Sequence, residues 1–371
     1  MFFRGFLVKK LTEGNVPHLI TKYCVNKKMK KERCRECSRV CSENAIEFSK
    51  NELPYLDKDK CNGCHLCVDV CPSRAFMSGT MKYIRLYQRA LTKAPLVIGC
   101  IENGDNVNLK FPCIYSISNE FLISLLLGYD KKEISFYLGD CEECTNNKNY
   151  KIFEKRLEEA KEFVNKIKTP PEINYVYEYQ ENPLDGEPIS RRDMFRMFSS
   201  ETQKNTKDIA DELLNKNKAS PLPDDRKLLI ELLKEKNVTL VKDMPLPFKF
   251  WELTERCNGC KMCANVCPHK AWEKVVHKER DEIEIRHFPW LCFKCGICER
   301  YCPRNAIKET SYEGKVFSEN IYFKKKLLPK LRCPRCRRKF VQTEEMGELC
   351  PTCEKKQKNK QERKQDAVDD K

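Results

Sequence analysis

Residues 257–272 read CNGCKMCANVCPHKAW, which places four cysteines in the spacing C-x2-C-x2-C-x3-C with a proline directly after the last. The same pattern occurs at 61–76 (CNGCHLCVDVCPSRAF) and at 292–307 (CFKCGICERYCPRNAI). A shortened copy, RCRECSRVCSENAI at 33–46, keeps three cysteines and has Ser42 in place of the proline. The copies pair along the chain, at 34–71 and 257–302, so the sequence predicts one module that is used twice.

The spacing of the cysteines points to iron–sulfur clusters. Three thiolates on one tight loop can bind three irons of a cubane cluster, whereas the fourth cysteine lies too far along the chain to complete the same cube. The proline suits the first turn of a short helix, where no backbone N–H is needed. Zinc is the alternative, because C-x-x-C pairs also bind zinc, but the complete run in tandem is more typical of [4Fe-4S] clusters.

These motifs resemble the bacterial-type ferredoxin family with two [4Fe-4S] clusters, over about residues 24–80 and 250–312. In that family the fourth cysteine of each motif binds the neighbouring cluster. The resemblance implies one cluster on each of three sets of cysteines: Cys61, Cys64, Cys67 and Cys41 (cluster 2); Cys257, Cys260, Cys263 and Cys302 (cluster 3); Cys292, Cys295, Cys298 and Cys267 (cluster 4).

The first module still lacks one ligand. Cys34, Cys37 and Cys71 need a fourth partner, and Cys24 is the single cysteine upstream of them. The residues between Cys24 and Cys34 include the polar run KKMKKER, as expected of a solvated loop insertion. We therefore predict cluster 1 on Cys24, Cys34, Cys37 and Cys71. The alternative is a free Cys24 thiol with a three-iron or labile cluster.

The segment between the two modules has a different pattern. Apolar runs typical of strands alternate with helical periodicity, which predicts a small, mostly parallel α/β domain. The predicted strands are PLVIG (95–99), NVNLKF (106–111), EISFYLG (133–139) and INYVYEY (173–179), and the predicted helices are 118–128 and 150–167.

Four cysteines of this domain, Cys100, Cys113, Cys141 and Cys144 (the middle quartet), follow three of these strands. In a parallel sheet they would meet at the carboxyl edge, where open α/β sheets build their sites. The pattern PLVIGC…FPCIYSIS…LGDCEEC resembles the small iron–sulfur subunit of methyl-viologen-reducing hydrogenase and heterodisulfide reductase, over roughly 94–150. The resemblance implies a [2Fe-2S] centre. We predict a fifth iron–sulfur centre at the quartet, of either the [2Fe-2S] or the [4Fe-4S] type. The alternative is two buried cysteines beside a zinc-binding or redox C-x-x-C.

CPRC at 333–336 and CPTC at 350–353 have the spacing of a zinc ribbon, which predicts tetrahedral zinc on Cys333, Cys336, Cys350 and Cys353. Rubredoxin-like iron is the alternative. The metal would fold a fragment that has little core of its own. The basic residues around it form either a docking surface or a solvated face: Lys324–Lys326, Arg332, Arg335, Arg337 and Arg338.

Composition narrows the function classes. The chain has 24 cysteines and no evident export signal, which favours metal ligation in a reducing cytoplasm over disulfides. Its formal charge of +15 counts every cysteine as neutral. With all cysteines ligating six centres of about +2 each, the net charge falls to about +3, so nucleic-acid binding is not expected. No apolar run approaches the roughly 18–20 residues that span a bilayer, so no transmembrane segment is predicted.

The predicted fold class is α+β multidomain, with two ferredoxin-like 2[4Fe-4S] modules flanking a small α/β domain. The predicted boundaries are 1–85 (N-terminal segment and first module), 94–180 (α/β domain), 181–249 (helical linker), 250–315 (second module), 325–356 (zinc ribbon) and 357–371 (disordered tail). The sequence contains no Gly-rich dinucleotide fingerprint, P-loop or radical-SAM motif, and no catalytic residue is predicted.

We therefore expect a cytoplasmic iron–sulfur protein that passes single electrons through four [4Fe-4S] clusters. Its expected partners are a redox enzyme of the hydrogenase or formate dehydrogenase type and a soluble electron carrier. Two other functions stay open: an enzyme that uses the middle quartet for thiol/disulfide redox chemistry, and a zinc-rich regulatory protein that binds nucleic acid.

Overall fold

The fold is taken from a computed structural model of the chain. The structure describes residues 16–29, 32–79, 81–178, 222–315, 324–343, 346–357 and 359. The predicted linker up to residue 221 and most of the predicted tail lie outside these residues, and the domain boundaries stay predictions. The chain divides into two units: Met1–Pro247 with Phe293–Cys295 and Tyr312–Ser318, and Phe248–Cys292 with Gly296–Ser311 and Glu319–Lys371.

The first cysteine repeat folds into short elements that frame its two cysteine loops. In chain order they are β1 (His18–Leu19), α1 (Glu36–Val40), β2 (Ile46–Phe48), β3 (Pro54–Leu56), α2 (Leu66–Asp69) and β4 (Phe76–Met77). The outer strands β1 and β4 pair antiparallel, and β2 and β3 form an antiparallel hairpin. The sequence predicts this hairpin between the two motifs, since AIEF and PYLD flank the polar turn SKNEL, and the pairing of β2 with β3 confirms it. Each helix lies directly within its cysteine run, so the loops and helices present the thiols together.

The segment that follows is a layered α/β structure. Its elements are α3 (Tyr83–Leu91), β5 (Leu96–Cys100), β6 (Leu109–Phe111), α4 (Asn119–Gly128), β7 (Glu133–Tyr137), α5 (Tyr150–Asn165) and β8 (Glu172–Val176). The strand order is β6-β5-β7-β8, and all three pairings are parallel, which confirms the predicted parallel sheet. Ser118 caps α4 by accepting a hydrogen bond from the Phe121 N–H at 3.2 Å.

The sequences of α4 and α5 explain how much of each helix is buried. Residues 120–128 of α4 are all buried, because the run FLISLLLG is apolar on every side of the helix. The helix α5 instead buries one stripe, which includes Phe153, Leu157, Ala160 and Val164, as its 3.6-residue periodicity predicts.

The described part of the predicted linker is built into the first unit. Helix α6 (Asp224–Glu235) packs against α3 and α4, and it buries Leu228, Leu229, Leu232 and Leu233. The short strand β9 (Thr239–Leu240) then pairs antiparallel with Gly314–Lys315. Residues 224–240 therefore contribute core to this unit.

A buried network of charged groups joins these layers. The carboxylate of Glu120 on α4 pairs with Arg74, which follows α2, at 2.7 Å, and with Arg226 on α6 at 2.8 Å. Arg74 also pairs with Asp225 at 3.2 Å and with Asp69 at 3.5 Å. These side chains are at most 10% exposed. Burial raises the pKa of Glu120, but Arg74 and Arg226 outweigh it and hold that pKa at about 2. Glu120 is therefore the ionised centre of the network.

The second cysteine repeat has the same topology as the first. Its elements are β10 (Phe250–Leu253), α7 (Met262–Val266), β11 (Trp272–His277), β12 (Glu282–His287), α8 (Ile297–Arg300) and β13 (Ile307–Thr310). Strands β10 and β13 pair antiparallel, and β11 and β12 form the predicted hairpin.

The second unit extends this hairpin and ends in a further small sheet. Gly314–Lys315, the partner of β9, is β14. The following strand, β15 (Lys324–Pro329), pairs with β12 and makes the hairpin a three-stranded sheet. Strands β16 (Leu331–Arg332) and β17 (Lys339–Phe340) then form a separate hairpin. No helix in the described part of the chain is both long and apolar enough to cross a membrane.

Candidate metal centres

The cluster-2 cysteines line one cavity in the first unit. Its empty volume is about 330 Å³, and Cys41, Cys61, Cys64 and Cys67 are all among its lining residues. Burial, with smaller contributions from the neighbouring Cys61 and Cys41, raises the pKa of Cys64 to about 12. Four crowded thiols of this kind need bound cations to become thiolates, because binding a metal releases their protons. The donor set and the cavity therefore fit an iron–sulfur cluster.

The cluster-1 cysteines also come together. Burial raises the pKa of Cys37 to about 12, and the next contributions come from Cys71, Cys34 and Cys24. Cys24 is 8% exposed, and it packs in one apolar cluster with Tyr23 and Ala75, against which Cys71 is packed. The structure thus places Cys24 beside the three cysteines that lacked a partner. Its role as a ligand stays a prediction.

Asn26 holds the Cys24 segment in place, and sequence reasoning missed it. Its side-chain oxygen accepts a hydrogen bond from the Cys34 N–H at 2.8 Å, and its amide donates to the carbonyl oxygens of Cys34 and Glu52, both at 3.0 Å. Asn26 is 2% exposed and lies in a single 3-10 turn that begins after Cys24. Because the amide bonds both backbone groups of Cys34, it keeps Cys24 and Cys34 close across the polar insertion.

The cluster-3 cysteines line the corresponding cavity of the second unit. Cys257, Cys260, Cys263 and Cys302 all border it, and its empty volume is about 340 Å³. Gly259 lies in this loop with a φ of +68°, and a Cβ there would be 3.2 Å from Ile283. The tight loop therefore requires glycine for its backbone conformation and for the space beside β12.

For cluster 4 the structure shows a part of the predicted set. The pKa of Cys267 is raised to about 11, mainly by burial. The neighbouring Cys292 makes a smaller contribution to this rise. Cys298 is buried within α8. The place of Cys295 in this set stays a prediction from the motif.

The middle quartet lies at the carboxyl edge of the parallel sheet, as predicted. Cys100 ends β5, Cys113 follows β6 and Cys141 follows β7. Burial raises the pKa of Cys113 well above its usual value. Cys64 of the cluster-2 site is the next cause that raises this pKa, and Cys100 and Cys144 make smaller contributions. A side-chain hydrogen bond joins Tyr115 to Cys141. The four cysteines are therefore neighbours, with Cys144 on the exposed side.

The C-terminal quartet has the geometry of a site for a single ion. The Sγ atoms of Cys333, Cys336, Cys350 and Cys353 all lie within 4.8 Å of one another, a tightness that sets them apart among the described residues. The Sγ atoms of Cys336 and Cys350 are 3.6 Å apart, close to the roughly 3.8 Å of tetrahedral zinc with Zn–S bonds of about 2.3 Å. Hydrogen bonds from backbone N–H groups lower the pKa of Cys333 to about 6, and the bond from Cys350 has the largest effect. This quartet could bind a metal ion.

Comparison with known proteins identifies the two cysteine repeats. Family models for the 4Fe-4S dicluster domain match residues 32–75 and 256–307. Neither match reaches Cys24, the middle quartet or the C-terminal quartet. A ferredoxin of Methanothermococcus thermolithotrophicus is 35% identical over 48 residues, which cover 13% of this chain and 80% of that protein.

Two relatives belong to larger enzymes. The pyruvate synthase subunit PorD of Methanocaldococcus jannaschii is 37% identical over 43 residues, 12% of this chain and 50% of that protein. The indolepyruvate oxidoreductase subunit IorA of Pyrococcus horikoshii is 34% identical over 64 residues, 17% of this chain. The match covers only 9% of the length of IorA.

Proposed function

Because the chain belongs to the 4Fe-4S ferredoxin family through its two dicluster domains, we propose that it is an electron-transfer protein that passes single electrons through four [4Fe-4S] clusters. The observation that carries this proposal is the pair of cavities, one in each unit, that are each lined by all four cysteines predicted for one cluster. When bound, each cluster supplies reversible one-electron chemistry without a substrate bond.

The protein's own residues hold and shield these clusters. The sixteen cysteines of the two repeats would supply thiolates. Each of the three complete motifs contributes three of them to one cluster from a single tight loop, whereas the short copy contributes Cys34 and Cys37 together with Cys24 upstream. Apolar residues such as Ile46 and Leu66 line the cluster-2 cavity and limit the access of water. Burial and the backbone hydrogen bonds to sulfur tune the reduction potential, as in the bond from the Ala45 N–H to the Cys41 sulfur at 3.3 Å.

The partner we propose is a larger oxidoreductase of the hydrogenase or formate dehydrogenase type, together with a soluble electron carrier. The similarity to segments of pyruvate synthase and indolepyruvate oxidoreductase subunits supports a redox-enzyme partner. It supports no particular type of enzyme. We further propose that the protein works in the cytoplasm.

Two additional centres belong to the proposal. The middle quartet would bind a fifth iron–sulfur centre, since its four thiols meet at one edge of the sheet with Cys113 buried. The C-terminal quartet would bind zinc, because its sulfur atoms fit one tetrahedral ion.

Anaerobic purification followed by iron, sulfide and zinc analysis tests the proposal. We expect about sixteen irons from the two repeats, two to four more from the middle quartet and one zinc. A colourless preparation that contains zinc alone, with salt-sensitive binding to DNA or RNA, would contradict the proposal and favour the regulatory alternative. Turnover of a small disulfide by the isolated protein would favour the thiol/disulfide enzyme.

Replacing Asn26 by alanine tests how the first module keeps cluster 1. The change removes three hydrogen bonds of about 1 kcal/mol each, so the Cys24 segment should loosen from Cys34. We expect about a quarter of the ferredoxin-bound iron to be released faster to a ferrous chelator. Asn51→Ala, at an exposed asparagine in the turn between β2 and β3, is the control and should behave as wild type. Equal release from all clusters would argue against this role of Asn26.

A further inference from the structure

The turn that follows Cys144 is attached to the loop that carries Cys41. We call Thr145–Asn149, a single 3-10 turn, the docking turn. The Ser42 hydroxyl donates to the Thr145 carbonyl at 2.9 Å, and the Lys148 ammonium donates to the Cys41 carbonyl at 3.3 Å. All four residues 40–43 take part, because Asn149 also bonds Val40 and the Thr145 hydroxyl donates to the Glu43 carboxylate at 3.1 Å. One end of the middle quartet is thus tied to a backbone segment of the cluster-2 site.

Asn149 makes the buried bond of this attachment. Its amide donates to the Val40 carbonyl at 3.1 Å, and the residue is 3% exposed. Ser42 and Lys148 make bonds that are exposed to solvent. Since a buried amide that loses its acceptor pays the full desolvation cost, the Asn149 bond is the strongest constraint on the turn.

The other end of the middle quartet faces the same site. Directly after Cys113, the turn Ile114–Ser116 packs against α2, the helix that contains Cys67. Arg156 on α5 donates to the Tyr115 carbonyl at 3.2 Å and pairs with Asp69 of α2. Cys113 itself is 7% exposed.

The cluster-2 site therefore has neighbours on two sides. Cys67 shares an apolar core cluster with Cys37 of the cluster-1 site. Cys64, three residues earlier on the same loop, leads into α2, the helix against which the turn directly after Cys113 packs. This gives the first unit an order of sites: cluster 1, cluster 2, middle quartet.

We propose that the docking turn holds the middle quartet against the cluster-2 site, so that redox centres bound at these two sites are neighbours and couple magnetically, with Asn149 as the positioning residue. The inference rests on the proposed function, since it requires that both sites bind iron. It assigns the cluster-2 site, rather than the cluster-1 site, as the neighbour of the middle centre.

Electron paramagnetic resonance of the dithionite-reduced holoprotein tests this arrangement. The signal of the middle centre is first identified as the one lost in Cys144→Ser, a change at an exposed cysteine. We expect this signal to be split or broadened in the wild-type protein. Cys61→Ser, which removes a cluster-2 ligand, should abolish the splitting, whereas Cys24→Ser, which removes a cluster-1 ligand, should leave it.

Asn149→Ala provides a test that keeps every ligand. It should reduce the splitting while the iron content stays as in wild type. Asn147→Ala is the matched control, because Asn147 lies in the same turn but bonds Glu142 and Tyr115 instead of the first repeat. A merely structural role for Asn149 would lower stability without changing the splitting, and that result would overturn the proposal.

Three further outcomes would also overturn it. These are a splitting that survives in Cys61→Ser, a splitting that disappears equally in Cys24→Ser, and no signal that Cys144→Ser removes. Each leaves the four-cluster proposal standing, since that proposal depends on about sixteen irons in the two repeats. An anaerobically purified protein that contains no iron would instead refute the proposed function itself.

Discussion

Replacing Cys24 by serine is expected to remove one [4Fe-4S] cluster, which lowers the iron content by about four per chain. Cys24 lies ten residues before Cys34, outside the residues that match the dicluster family, and the fold nevertheless packs it beside Cys71. Serine is a poorer ligand for iron than a thiolate, and the cluster-1 set contains no other cysteine to replace it. Iron and sulfide analysis with spectra of the reduced protein would measure the loss.

The matched control is Cys144→Ser, which alters an exposed cysteine of another quartet. It should lower the iron content by at most the share of the middle centre and leave the cluster-1 signal intact. Far-UV circular dichroism, which should be nearly unchanged in both variants, reports that the remainder of the chain is folded. A Cys24→Ser protein with the iron content and spectrum of wild type would disprove the ligand assignment and favour the free-thiol alternative.

Replacing Glu120 by alanine is expected to lower the free energy of unfolding of the first unit by about 3–5 kcal/mol. Glu120 neutralises two buried arginines, Arg74 and Arg226, and its loss leaves their charges uncompensated in the interior. The affected residues link α4 to α6 and to the segment after Cys71, so the damage should also reach the first repeat. Urea unfolding under anaerobic conditions, followed by circular dichroism and by the cluster absorbance, would measure the effect.

The control for this experiment is Lys155→Ala on α5. Lys155 pairs with Glu159 at 3.9 Å, and its side chain is 78% exposed. A solvated pair of this kind contributes at most about 0.5 kcal/mol. Equal effects of Glu120→Ala and Lys155→Ala would mean that the buried network adds nothing to the stability of the unit.

Much of the fold could be predicted from local sequence patterns. The two hairpins were predictable because each lies between two cysteine motifs and is bounded by turn residues. The parallel sheet was predictable because its strands alternate with helices along the chain, and the 3.6-residue periodicity of 150–167 identified α5. These patterns depend on residues that are near one another in sequence.

The residues that sequence reasoning missed act over long separations. Asn26 bonds Glu52, which lies 26 residues along the chain. Arg226 bonds Glu120, which is 106 residues away. In DRKLLIELLKEK, Arg226 has the pattern of a charge on the solvent face of an amphipathic helix. It is buried because the Glu120 carboxylate pairs with it inside the unit. The single sequence signal for Asn26 was its position two residues after Cys24, the predicted fourth ligand of cluster 1.

The cysteine spacing of the two repeats was enough to predict iron–sulfur ligation, since three thiolates on one tight loop suit a cubane cluster. Sequence patterns also predicted the parallel sheet and grouped the four C-terminal cysteines as candidate metal ligands. The packing of Cys24 beside Cys71, and of the turn after Cys113 against α2, could be seen in the folded chain alone. Motif spacing encodes local loop geometry, whereas the contacts between loops come from packing and buried hydrogen bonds across the whole unit.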